Sequence, residues 1–172
     1  ERDLEWNDQG VEGCYRFLNR VWRLVAQYEE ALKKENNSNG SGTSFSNLDA
    51  PAKKMRLHTH TAIKKVTNDA GARFNFNTAI SSIMELVNAL YLYKEKENVN
   101  RSVAREGIET VLKLLAPFAP HITEELWSEI GHADSIHQQA WPTLDESALV
   151  EEEITIILQV NGKVRDKVQV PA

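Results

Sequence analysis

The chain has 172 residues, 41% of them hydrophobic and 26% charged, the size of one globular domain with room for a small appendage and enough apolar surface for a core. No apolar run approaches the roughly 18 residues of a membrane span and no basic-then-apolar leader is present. The lone Cys14 excludes an internal disulfide framework and a cysteine zinc cluster, which suits a reducing compartment and makes the cytoplasm the expected location.

From Asn7 or Asp8 to about Lys34, the residues Val11, Cys14, Leu18, Val21, Trp22 and Val25 recur at steps of three and four, which predicts an amphipathic helix with Asp8 as the expected N-cap. Glu35 to Leu48, with its asparagines, serines and glycines, is too polar for a core and reads as a surface loop. Asp49 followed by Pro51 announces a second helix, with Met55, Ala62, Ile63 and Val66 on one side and an end near Gly71. A third is expected from about Asn77, as cap, to Lys94, burying Ile80, Ile83, Met84, Val87 and Leu90. Val103, Ile108, Val111, Leu112 and Leu115 mark a fourth, stopped by Pro117. A short fifth carries Ile122, Leu126, Trp127 and Ile130 and is closed by Gly131.

Residues 132–150 read as irregular. Ile154 to Val160 and Lys163 to Val170 are β-branched segments flanking Asn161-Gly162, a strong hairpin signal. A three-residue loop is preferred over a two-residue one, because it gathers Ile154, Ile156, Leu158, Val164 and Val168 on one face and leaves Lys163, Arg165 and Lys167 on the other. The expected class is therefore mainly α: an antiparallel helical bundle over residues 1–150, with a C-terminal β-hairpin in residues 151–172 that begins a further domain. The start at Glu1 and the stop at Pro171-Ala172, just after a strand, point to a piece of a larger protein.

Charge is unevenly placed. The net value is −5, yet residues 114–162 hold no Lys or Arg at all, while the chain up to Lys113 carries seventeen basic and fifteen acidic side chains. A polyanion is expected to avoid the first region and meet the others. Arg16, Arg20 and Arg23 fall within about 60° of one another on the first helix, a stripe whose forked donors can grip phosphates; a solvated face paired with carboxylates such as Glu12 is the competing reading. Lys163, Arg165 and Lys167 alternate along one strand and form a second patch, with edge protection as the alternative. Lys53, Lys54, Lys64, Lys65 and Arg73 scatter around the second helix and read as solvation. His58, His60 and His121 fit exposed or capping roles, since no metal-ligand spacing surrounds them. Trp22 and Trp127 stand at core-phase positions, and Trp6 and Trp141 read as packing residues outside the helices. No catalytic residue, metal site or phosphate loop is recognised.

Several strings, in order, resemble the leucyl-tRNA synthetases: Leu4-Glu5-Trp6 with Gly10-Val11-Glu12-Gly13, Arg16-Phe17-Leu18-Asn19-Arg20-Val21-Trp22, Phe76-Asn77-Thr78-Ala79-Ile80, and Gln159-Val160-Asn161-Gly162-Lys163-Val164-Arg165, of which the Gly10–Gly13 and Gln159–Arg165 strings are similar to the bacterial type. The element Pro117-Phe118-Ala119-Pro120-His121 with Glu125-Leu126-Trp127 is similar also to the isoleucyl, valyl and methionyl enzymes and marks only the group. The resemblance implies a cytoplasmic, usually monomeric ligase that joins leucine to its tRNA using ATP and Mg, with leucine tRNA as partner and no membrane. The His-Ile-Gly-His and Lys-Met-Ser-Lys-Ser signatures are missing here, and Ile130-Gly131-His132 and Lys54-Met55 are decoys, so no cofactor is expected in this piece itself. Leucyl enzymes grip the tRNA body without depending on the anticodon. Arg16, Arg20 and Arg23 are thus expected near the inner corner or D-arm, and Lys163, Arg165 and Lys167 toward the elbow. The alternatives are a rigid spacer between the catalytic core and the C-terminal domain, or a protein-interaction module using the acidic residues 114–162.

Overall fold

A computed structural model describes residues 8–36, 45, 47–150, 153–160 and 163–171, with side chains described for 10–28, 45, 47–71 and 74–150. The strings at 4–6, most of the polar loop at 37–44 and the turn at Asn161-Gly162 lie outside the described residues, as does Trp6.

Five helices carry the fold: α1 (Asp8–Asn36), α2 (Ala50–Asn68), α3 (Phe76–Lys94), α4 (Arg101–Leu115) and α5 (Pro120–Glu129). The start of α2 follows its sequence signal: the Asp49 carboxylate accepts from the Ala52 N–H at 2.9 Å, and Pro51 sits in the first turn. Asp49→Ala is expected to lower stability by about 1 kcal/mol, the usual cost of losing such a cap, read as a shift of the urea midpoint at unchanged slope. Asn100 caps α4 in the same way, through Val103 N–H at 3.1 Å.

The start of α3 differs from expectation. Asn75 occupies the cap position without a side-chain bond, and Asn77 lies inside the first turn, where its carbonyl accepts from Ser81 Oγ. The preceding chain explains this: α2 ends at Asn68 and passes into a single π turn, Asp69–Arg73, closed by Phe74 in the left-handed region at φ 54°. Both the Phe74 and Asn75 N–H groups bond to the Asp69 carbonyl, so backbone closes this junction in place of a side-chain cap. At the end of α5, Gly131 takes φ 96° as a helix terminus favours.

The core is one cluster to which every helix contributes, with Leu24, Met55, Ile83, Leu90, Ile108, Leu112 and Trp127 among its most buried members. Helix α2 packs on α3 and α4, and α1 lies across α3, α4 and α5. The connections from α2 through α4 are short, so successive helices reverse direction. At Gly107, α4 has no room for a side chain without a shift in its neighbours: a Cβ there would lie 2.9 Å from Leu90 Cδ2 and 3.5 Å from Met55 Cε.

Several residues expected in the core are not there. Val11, Cys14 and Trp22 are exposed, Trp22 at 42%, and the buried seam of α1 is Phe17, Val21, Leu24, Val25 and Tyr28. The seam is rotated by roughly 60° from the row the periodicity suggested, because apolar residues cover a wide arc of this helix and the neighbours choose which edge is closed. On α3, Ile80 and Met84 are only half-buried, while Ala79, Leu86 and Tyr93 are buried. Residues 132–150 are held by two short 3₁₀ turns, Ile136–Gln138 and Glu146–Leu149.

Past residue 150, β1 (Glu153–Val160) and β2 (Lys163–Pro171) pair antiparallel in a two-stranded sheet. The register differs from the three-residue loop: Val160 is opposite Lys163, as in a two-residue turn, and a bulge at Leu158/Gln159 then brings Ile156 opposite Val168 and Ile154 opposite Val170. The pairing of Val160 with Lys163 and the matched apolar positions farther out are compatible only if one residue is left over, and the bulge takes it.

Candidate nucleic-acid interface

Arg16, Arg20 and Arg23 are all exposed on α1, as the stripe requires, but their surroundings differ. Arg16 Nη1 lies 3.2 Å from Glu12 Oε1, a solvated pair with both side chains about two-thirds exposed, 68% and 65%. Such a pair is worth little, and it offsets part of the charge that Arg16 offers. Arg20 is the member nearest the buried seam. Its Nη2 donates to Asn88 Oδ1 of α3 at 2.7 Å, and its guanidinium carbon stands 5.3 Å from the centroid of the Tyr91 ring. Tyr91 in turn donates from its hydroxyl to the Arg20 carbonyl at 2.8 Å. One helical step farther, Lys94 Nζ donates to Gln27 Oε1 at 2.8 Å and approaches Glu95 at 3.7 Å. Asn88, Tyr91 and Lys94 thus form a polar row at i, i+3 and i+6 alongside the α1 stripe. The sequence carried that spacing, but not the information that this edge of α3 meets α1.

The second basic patch reads differently on the register. Lys163 stands opposite Val160 and Lys167 opposite Ile157, positions of opposite parity on β1, so the bulge interrupts the alternation that would set 163, 165 and 167 on one face. The side chains of Lys163, Arg165 and Lys167 lie outside the described residues.

A further polar group, missed in the sequence, sits inside the bundle. Arg56 of α2 makes two bonds to Glu106 of α4, from Nε at 2.9 Å and Nη2 at 3.1 Å, and a third from Nη2 to Asp145 at 2.8 Å. The Phe45 ring lies 3.8 Å from its guanidinium carbon. His60, expected to be exposed or capping, is 3% exposed: Nδ1 accepts from the Asp145 N–H at 3.1 Å, which leaves Nε2 to carry the proton toward Glu106 Oε1 at 3.1 Å. Burial pushes the Glu106 carboxyl up, but hydrogen bonds from His60 and Arg56 and the Arg56 charge outweigh it and hold the group below the usual carboxylate range. Bonds from Ser147 and Arg56 lower Asp145 to about 2. The cluster ties the segment before α2, through Phe45, and the segment after α5, through Asp145, to the same arginine. It is a structural junction, in which Glu106 and Asp145 meet Arg56 and His60 across 46 to 89 residues of sequence.

The acidic stretch is likewise partly employed within the fold: Glu124 accepts from Ser135 Oγ and from the Ile136 N–H, both at 3.0 Å. Thr67, Ala70, Gly71, Phe76, Pro117, Phe118 and Trp141 line an open apolar recess of about 750 Å³. The Thr67 hydroxyl in it accepts from the Trp141 indole N–H at 2.8 Å, so the recess offers little to orient a polar substrate.

The model of the family described as the anticodon-binding domain of tRNA ligase matches residues 52–172. The chain belongs to that family. The domain is also similar to a LeuRS chain from Agrobacterium radiobacter in the crystal structure of a ternary complex, LeuRS-tRNA-LeuAMS: 32% identical, with a TM-score of 0.81 over 98% of this chain. The match covers 21% of that LeuRS chain. The helical bundle described above is therefore the anticodon-binding-domain architecture, and its α1, which lies before the family match, falls within the structural one.

Proposed function

We propose that this domain is the tRNA-binding portion of a leucine-tRNA ligase, which attaches leucine to its cognate tRNA using ATP, and that it binds and positions the body of leucine tRNA through phosphate contacts. The supporting observation is the similarity over 98% of the chain to a LeuRS solved with tRNA. Residues 1–150 serve as the helical tRNA-binding domain and β1 and β2 begin the C-terminal domain that follows. ATP and Mg belong to the parent enzyme, a monomer of the cytoplasm. No cluster able to hold a metal occurs among the described residues, and no step of aminoacylation is assigned to them. No helix among the described residues is long and apolar enough to cross a membrane.

The contacts are assigned to Arg16, Arg20 and Arg23 on the bundle and to Lys163, Arg165 and Lys167 on β2. With arginines on one exposed face, affinity comes from phosphates and selectivity from the shape of the folded RNA. In the ligase that carries this chain, replacing Arg16, Arg20 and Arg23 together by alanine is expected to weaken leucine tRNA at least about tenfold at low salt. The slope of log K against log salt should flatten by about one unit for each phosphate that is no longer neutralised. Unchanged affinity and slope would instead identify the bundle as a rigid spacer.

A further inference from the structure

We propose that Arg20 is the principal phosphate-gripping arginine of the α1 stripe and that Asn88 and Tyr91 of α3 are its positioning residues, an inference that rests on the tRNA-binding reading above. Three observations carry it, two on Arg20 and one on its neighbour Arg16. Its guanidinium is tethered at 2.7 Å to an amide oxygen, a neutral acceptor. The ring beside it, Tyr91, is fixed from the other end by the bond from its hydroxyl to the Arg20 backbone carbonyl at 2.8 Å. Arg16, one turn away, instead spends a donor on the Glu12 carboxylate.

The physical consequence is a difference in what each arginine presents to an anion. A guanidinium paired with a carboxylate has part of its charge offset, so a phosphate must compete with that partner. A guanidinium held by an amide oxygen and an aromatic ring is ordered while keeping its full charge, and only one of its five N–H donors is engaged by Asn88. The forked edge stays free for a phosphate, and the conformational entropy that a long side chain gives up on binding is already gone before the ligand arrives. Asn88 and Tyr91 are three residues apart on α3 and therefore adjacent on its surface, and together they fix the guanidinium and the backbone of one α1 residue. The geometry belongs to the α1–α3 seam, so neither helix alone would provide it.

The test uses the ligase that carries this chain, titrated with a leucine tRNA transcript at several salt concentrations, with thermal melts to verify folding of each variant. Arg20→Ala is expected to weaken binding and flatten the salt slope by about one unit. Asn88→Asp should reproduce both effects although Arg20 is present, because the new carboxylate neutralises it. Asn88→Ala should weaken binding about two- to tenfold, the range set by ordering one long side chain, with the slope unchanged because the charge remains. If Asn88→Asp keeps wild-type affinity and slope while Arg20→Ala loses both, the positioning role is overturned and tRNA binding by α1 stands. If Arg20→Ala itself changes neither quantity, α1 does not face tRNA near Arg20, and the inference fails together with the reading of the stripe.

Discussion

Trp127→Ala is expected to lower the free energy of unfolding by about 4 kcal/mol, the largest effect of any single truncation in the bundle. The indole is 2% exposed and joins α5 to the core. One of its faces is stacked on His132 with centroids 3.7 Å apart and planes within 6° of parallel, and the Lys113 ammonium stands 5.3 Å from the ring. Alanine would leave a cavity as large as the ring and remove the surface on which His132 rests. His132 Nε2 also bonds Glu109 Oε1 at 2.9 Å, so the damage should extend to the turn after Gly131. Trp127→Phe separates the causes: it keeps a ring at the site and removes an indole N–H that is buried without a hydrogen-bond partner among the described residues. Leaving such a donor unsatisfied costs about 1 to 3 kcal/mol, which should offset much of the smaller cavity. Urea unfolding at pH 7 checks both variants, and a phenylalanine variant as unstable as the alanine one would show that the indole N–H is satisfied in solution.

The second large effect is expected at the buried junction. Arg56→Ala should lower stability by roughly 3 kcal/mol, the lower end of what removing one partner from a buried ion pair costs. The Arg56 and Glu106 side chains are 10% and 18% exposed, so Glu106 would keep a desolvated charge with only His60 to answer it. The Asp145 contribution is smaller, because that side chain is 39% exposed and solvent screens it. The pH dependence follows from the direction of the shifts. Both carboxyls are held below their ordinary values, so the stability they supply is complete above the unfolded range of roughly 4 and is lost as the pH falls, for Asp145 through about 2. In wild type the urea midpoint should therefore fall between about pH 4 and pH 2, and in Arg56→Ala this acid limb should be shallower. A variant with an unchanged acid limb would show that Arg56 does not set those two affinities for protons. Because Arg56 also holds the segment that leads from α5 to the strands, the variant should expose that segment to proteolysis before the bundle unfolds.

What the sequence determined by itself were the features that depend on neighbours along the chain. The Asp49–Pro51 start of α2, the stop at Pro117, the left-handed Gly131 and the buried Met55, Ile63, Ile108 and Leu112 all follow from local geometry and period. So did the family, since its strings survive as strings whatever the fold does with them. The α1 stripe of Arg16, Arg20 and Arg23 was legible for the same reason, as residues spaced three and four apart on one helix.

Only the tertiary structure decided which edge of an apolar arc is closed and which distant side chains meet. Trp22 satisfied the period of α1 and is exposed, because α3, α4 and α5 cover the edge that holds Phe17, Leu24 and Tyr28. His60 has only Arg56 beside it in sequence, one helical turn away, and it is buried between Glu106 and Asp145, whose contributions arrive from α4 and from the segment after α5. The difference between Arg16 and Arg20 has the same origin: Glu12 is four residues away and readable, whereas Asn88 is 68 residues away and is brought to Arg20 only by the packing of α1 on α3. Helical period fixes directions within one element, and burial, charge compensation and long-range hydrogen bonds depend on what another element presents to it.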